Sequence, residues 1–163
     1  MDSLANNRAR RRIGIIPVPG SALMSYASLV EPLRAANQLA GRTLYDVIHA
    51  SADGKPVRTS GQTIIEVDCS VAELTGLQMC LVLAGGSGVD YDDTRVLVAL
   101  RRLARTPAVL GGISAGPFVL VRAGVMPGRK MTVHWEHAPA LREMAPDLQL
   151  TQSLYEIDRD RVT

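Results

Sequence analysis

Ala108-Val109-Leu110-Gly111-Gly112-Ile113-Ser114-Ala115-Gly116-Pro117-Phe118-Val119-Leu120-Val121 is the stretch whose reading decides the fold. An apolar run, Ala108–Leu110, enters Gly111-Gly112; the polar Ser114 follows, then Ala115-Gly116. A second apolar run, Pro117–Val121, has helical spacing and ends near Gly124. That order predicts a strand, a sharp turn and a helix, with small residues letting backbone pass close to backbone. Ser114 falls at the turn, where the unpaired N–H groups and dipole of the helix favour an anion or a nucleophile. Gly112-Ile113-Ser114-Ala115-Gly116 fits the G-x-S-x-G pattern of a nucleophile elbow. An ordinary tight strand-to-helix turn uses the same small residues, so the pattern predicts the geometry more firmly than the chemistry.

Outward from this unit, strands and helices alternate. Arg12–Val18 reads as a buried strand, closed by Pro17, Pro19 and Gly20. A helix is predicted over Ser28–Ala40, with Leu29, Leu33, Ala36 and Ala40 on one face and Gly41 as its stop. Pro32 is tolerable there only in the first turn or as a kink. Tyr45–Ala50 is a second strand. Short extended pieces around Val57 and Gln62–Val67 suggest an antiparallel hairpin on the sheet edge, and Ser70–Leu74 a helical turn. Met79–Ala84 is a buried strand that runs into Gly85-Gly86-Ser87-Gly88, and Asp92–Arg105 is an amphipathic helix. After the elbow, Arg129–Val133 is a short strand ending at His134-Trp135, Glu136–Met144 a helix, and Leu148–Leu150 and Leu154–Ile157 short strands. Val162-Thr163 begins another extended piece. Such alternation means a mostly parallel sheet covered on both faces. Both glycine-bearing loops follow the carboxyl ends of strands, where open α/β sheets bind ligands.

The totals narrow the classes. The chain has 163 residues, 47% hydrophobic and 21% charged, enough for one domain with a full core. Its net charge of +2 is too mild to make this segment a nucleic-acid binder by itself. Arg8, Arg10, Arg11 and Arg12 form the one basic run, read as a solvated arm over residues 1–11 that precedes a domain over 12–163. No apolar stretch approaches a membrane span and no secretory leader pattern precedes the first strand, so no membrane partner and a cytoplasmic location are expected. Cys69 and Cys80 then read as thiols with no disulfide between them.

Each polar constellation has a limit. Gly85-Gly86-Ser87-Gly88 can offer backbone N–H groups to an oxyanion or a carboxylate. As a dinucleotide fingerprint it fails, since Tyr91 stands where the third glycine belongs, and no cofactor is expected. A serine nucleophile needs a base oriented by an acid, but residues 115–133 contain no Asp or Glu to precede His134. His134 and His137 are three apart with no visible third ligand, so no metal is expected. His134, ending a strand, is placed to face the crevice beside Ser114; Trp135 reads as core packing or as an aromatic wall of that pocket.

Leu81-Val82-Leu83-Ala84-Gly85-Gly86, Gly112–Phe118, Ala123-Gly124-Val125-Met126-Pro127-Gly128-Arg129 and Thr132-Val133-His134-Trp135 come in the order and spacing of a class I glutamine amidotransferase-like (PfpI-type) domain. With Glu31-Pro32-Leu33-Arg34-Ala35-Ala36-Asn37 in the first helix, the chain resembles the N-terminal domain of AraC-family transcriptional regulators. The resemblance implies a flavodoxin-like three-layer sandwich that senses a small-molecule effector or mediates a homodimer. It also implies a helix-turn-helix DNA-binding domain beyond residue 163, and hence a chain cut short of the full protein. Regulators with this first helix include those of arginine, carnitine and betaine catabolism, which suggests a small amino-acid or quaternary-amine effector. Catalytic relatives carry Cys where this chain has Ser114, and their acidic residue near the first helix has no clear match, since Glu31 sits too late. A thiol starts near pKa 8.5 and ionises at a helix N-terminus, whereas a hydroxyl does not. The expected site is therefore a non-enzymatic pocket of Gly85, Gly86, Ser87, Ser114, Ala115, His134 and Trp135, with Ser114 and His134 as a degenerate elbow. The alternative is a PfpI-type amidase or peptidase-like enzyme using Ser114.

Overall fold

A computed structural model describes residues 10–163. The first nine residues, with Arg8 of the basic run, lie outside it. The central sheet follows from runs of branched apolar residues too short for buried helices. These are β1 (Arg11–Pro17), β2 (Tyr45–Ser51), β6 (Met79–Ala84) and β7 (Val109–Ser114). Short strands complete the set: β3 (Val57–Arg58), β4 (Ile64–Ile65), β5 (Cys69–Ser70), β8 (Lys130–Met131), β9 (Gln149–Leu150), β10 (Ile157–Asp158) and β11 (Arg161–Val162). The seven-stranded order is β10-β11-β7-β6-β1-β2-β5, parallel except for the β10–β11 pair. The chain leaves β1 for β2 on one side and returns to β6 on the other. The carboxyl ends of β1 and β6 thus flank the reversal where such sheets leave a crevice.

Helices α1 (Leu23–Ala40), α2 (Thr94–Leu103), α3 (Gly116–Arg122) and α4 (Ala138–Met144) complete the described elements, with three short 3-10 turns. α2 starts on Asp93, whose carboxylate accepts the Arg95 N–H at 2.9 Å, and buries Val96, Ala99, Leu100 and Leu103. α3 is the elbow helix. A Cβ added to Gly116 would lie 2.3 Å from the Val82 carbonyl oxygen, so only glycine lets this helix start on the sheet. Phe118, 1% exposed, then fills the core, a burial worth about 2–3 kcal/mol.

Three sequence expectations are corrected. The first helix begins at Leu23, not Ser28, and Pro32 sits inside it. Its N-cap is Ala22, which has no side-chain cap, so the sequence carried no start signal there. The hairpin β3–β4 forms a separate two-stranded sheet, while the edge beside β2 is taken by Cys69-Ser70 of β5. The strand expected over Leu154–Ile157 is only Ile157–Asp158, with Leu154 and Tyr155 exposed.

The first-helix motif has a structural explanation. Asn37 accepts the N–H groups of Leu44 and Tyr45 at 2.7 and 2.9 Å and donates to the Tyr45 carbonyl at 2.8 Å, which fixes the entry to β2. Glu31 is exposed and pairs with Arg34 at 2.7 Å. Cys69 and Cys80 are free, and burial pushes the Cys80 thiol up to about 12. Among the described residues no helix is long and apolar enough to cross a membrane.

Candidate functional site

Ser114 has φ +61°, the left-handed conformation that side-chain-bearing residues rarely adopt. This is the strained strand-to-helix corner the G-x-S-x-G spacing predicts. Ser114 pairs with Ala84 across the β6–β7 ladder, and the Ala115 N–H donates to the Ala84 carbonyl at 3.1 Å. In a working elbow the N–H after the nucleophile faces the oxyanion. Here it is already satisfied, and Ala115 is fully buried.

His134 comes to Ser114 through the backbone. Its N–H donates to the Ser114 carbonyl at 3.2 Å, while its ring lies 5.6 Å from that of Trp135 and its Nδ1 is 4.0 Å from Glu136 Oε2. A base for a serine nucleophile must instead receive the hydroxyl proton on its ring. The segment before His134 is anchored on its own account. The Thr132 N–H donates to Thr163 Oγ1 at 2.8 Å, and the Thr132 hydroxyl donates to the Ser153 carbonyl at 2.8 Å.

The Gly85-Gly86-Ser87-Gly88 loop winds into a 3-10 turn over Gly86–Val89. Its first N–H groups have no partner inside the turn. Gly85 is demanded by close approach, because a Cβ there would lie 2.6 Å from the Gly20 carbonyl oxygen. The Ser87 hydroxyl donates to the Pro19 carbonyl at 2.6 Å. Ser87 therefore ties the loops after β1 and β6 together rather than presenting its hydroxyl to the crevice.

Gly85, Gly86, Ser114, Ala115 and His134 are thus contiguous around the carboxyl ends of β6 and β7. Trp135 does not pack in the core: it is 78% exposed. The loop after β1 and its neighbour in the hairpin also reach this rim. Ser21 and Thr59 are buried, and their hydroxyls have no partner among the described residues. The Ser60 N–H donates to the Ser21 carbonyl at 3.0 Å, so the two lie close together, and the Ser21 Cα approaches the Gly85 position. Small hydroxyl residues in loops carry no periodic signal that would have singled them out.

Three surface recesses of about 420, 370 and 430 Å³ lie elsewhere, and none is lined by the predicted site residues. The second gathers Arg101, Arg105, Arg129, Arg159 and Arg161. Asp158 and Asp160 lie among these arginines.

An open, mostly parallel α/β sheet with a left-handed strand-to-helix corner at Ser114 defines the class of fold. Residues 17–163 match the DJ-1/PfpI family, and the chain belongs to it. It is 43% identical to the HTH-type transcriptional regulator GlxA of Rhizobium meliloti, over 97% of this chain and 49% of that protein. It is 37% identical to the HTH-type transcriptional regulator GbdR of Pseudomonas aeruginosa, over 96% of this chain and 43% of that one. The chain spans about half the length of these relatives or less. Among solved structures, an AraC family transcriptional regulator from Pseudomonas putida superposes with a TM-score of 0.82 at 24% identity, covering 93% of this chain and 82% of that one. Drosophila melanogaster DJ-1beta superposes with a TM-score of 0.78 at 20% identity, covering 95% and 81%. The last two share the fold, which agrees with the flavodoxin-like expectation.

Proposed function

We propose that this chain is the effector-sensing and dimerisation domain of an AraC-type regulator. It binds a small amino-acid or quaternary-amine compound without transforming it, and a helix-turn-helix segment outside this sequence reads DNA. The observation that carries the reading is the elbow itself: the left-handed corner at Ser114 is kept, while the adjacent N–H is bound to Ala84 and His134 connects through its backbone. A held corner with a serine hydroxyl in place of a thiol supports recognition over turnover. Likeness to proteins named as HTH-type regulators over nearly the whole chain supports the same conclusion.

In this reading the turn after Gly85 and Gly86 takes a carboxylate through backbone N–H groups. Ser114, Ala115 and His134 form the floor, and the exposed Trp135 ring faces a cationic group. Ligand alters DNA binding only by favouring one arrangement of the protein over another.

Thermal unfolding with a panel of amino acids and quaternary amines tests this. A binder at a hundred times its Kd adds about 2.7 kcal/mol of stability. Turnover of a general ester or amide substrate that disappears in Ser114→Ala would instead establish the enzymatic reading. A panel that leaves unfolding unchanged at millimolar concentration, with a dimer in solution, would reduce the domain to dimerisation alone.

A further inference from the structure

His134, Glu136 and His137 share one tight turn beside Ser114. Each offers a ligand atom, and these atoms lie within 4.8 Å of one another. From the sequence alone the two histidines lacked a third ligand; the fold brings the Glu136 carboxylate to them. We propose that this cluster is a binding site for a divalent late transition-metal ion of the zinc class. It shares His134 with the effector crevice but does not depend on that reading, since it would hold metal whether or not the crevice takes an organic ligand.

The turn that presents the three groups is fixed at both ends. His134 is the N-cap of the 3-10 turn Trp135–His137, and the His137 N–H donates to the His134 carbonyl at 2.8 Å. The His134 N–H is bound to Ser114 at 3.2 Å. The His137 ring stands edge-on to Phe118, with centroids 6.3 Å apart and planes at 82°, so the buried core positions one ligand. The His134 and Glu136 side chains are 42% and 66% exposed and free to turn toward it.

Two imidazoles and a carboxylate form a donor set used by zinc sites that keep an exchangeable fourth position. With bonds of about 2.0–2.2 Å, tetrahedral ligand atoms stand roughly 3.3–3.6 Å apart. The His134–Glu136 separation of 4.0 Å therefore closes by small rotations of exposed side chains. By donor type it prefers copper, nickel, cobalt and zinc to magnesium or calcium.

The chain carries its own reporter. Its single tryptophan is Trp135, whose ring centroid is 5.6 Å from that of His134. Its third histidine, His49, is engaged with Tyr26 at 2.9 Å, outside the cluster. Untagged, chelator-treated protein at pH 7.5 is titrated with cobalt(II), which quenches tryptophan at short range. The expected result is saturable quenching at one equivalent with a midpoint of tens of micromolar or lower, reversed by EDTA and displaced by zinc. His134→Ala and Glu136→Gln should each raise the midpoint at least about tenfold with unchanged circular dichroism. Quenching that does not saturate below about one millimolar would overturn the proposal. So would a midpoint unchanged in His134→Ala.

Discussion

Ser114→Gly is expected to stabilise this domain. The left-handed backbone at φ +61° costs a non-glycine residue about 1–2 kcal/mol, which glycine does not incur. Glycine returns about 0.5–1 kcal/mol through the greater freedom of its unfolded chain. The balance is a gain of about 0.5–1 kcal/mol, or roughly +1 to +4 °C in Tm for a domain of this size. Ser114→Ala keeps the strained corner and should shift stability by less than about 0.5 kcal/mol. Ser114→Val adds a branch at a left-handed position and should cost a further ~1–2 kcal/mol. Urea unfolding followed by far-UV circular dichroism suits the comparison, because the exposed Trp135 reports poorly on the core. If Ser114→Gly fell more than about 1 kcal/mol below Ser114→Ala, the corner would be held by side-chain contacts that outweigh strain, and the reasoning would be wrong.

Other perturbations follow from the same geometry. Gly85→Ala forces a Cβ to 2.6 Å from the Gly20 carbonyl and should destabilise by about 1–3 kcal/mol in urea unfolding; a neutral result would mean that the two loops separate easily. Ser87→Ala removes the 2.6 Å hydrogen bond to Pro19 and should cost about 0.5–1.5 kcal/mol, with faster amide exchange across residues 18–21. Arg161 is 5% exposed and donates through Nε to the Val125 carbonyl at 2.8 Å, so Arg161→Met should cost about 3 kcal/mol, and a loss below 1 would refute its role as an anchor for β11. The hydrogen bond from the Arg95 side chain, helped by its backbone N–H, holds the Asp93 carboxyl below its ordinary range. Because the folded value is the lower one, Asp93 contributes stability above about pH 4 that is lost as pH falls through that folded value. Asp93→Asn should therefore flatten the acid side of the stability profile, which thermal melts between pH 2.5 and 6 would measure.

The core of the fold was legible because its signals are local. Met79–Ala84 is a continuous apolar run bounded by glycine, and it is a strand over those same residues. The elbow was legible for a similar reason, since Gly116 and Ser114 record a close approach and a corner. What escaped depends on long-range packing. The first helix buries none of its residues, so its face pattern is weak, and Pro32 misplaced its start. The β3–β4 hairpin pairs with itself, and nothing in its sequence says which sheet it joins. Between core packing and a pocket wall the sequence does not choose for Trp135, because it lies on a one-turn 3-10 helix that has no periodicity to assign a face. Glu136 as a companion of both histidines is not legible from spacing, because only the tight turn folds the three ligand atoms onto one side.

The lacing between the loops after β1 and β6 bears on how fast and how tightly this rim can work. Ser87 reaches Pro19, the Gly20 N–H donates to the Arg58 carbonyl at 2.8 Å, and Gly85 lies against the Gly20 peptide. Three separate segments are stitched into one border before any visitor arrives. For the effector proposed above, little chain freedom would be left to surrender on capture, so selectivity would rest on fit to a standing mould and arrival on diffusion rather than on closure.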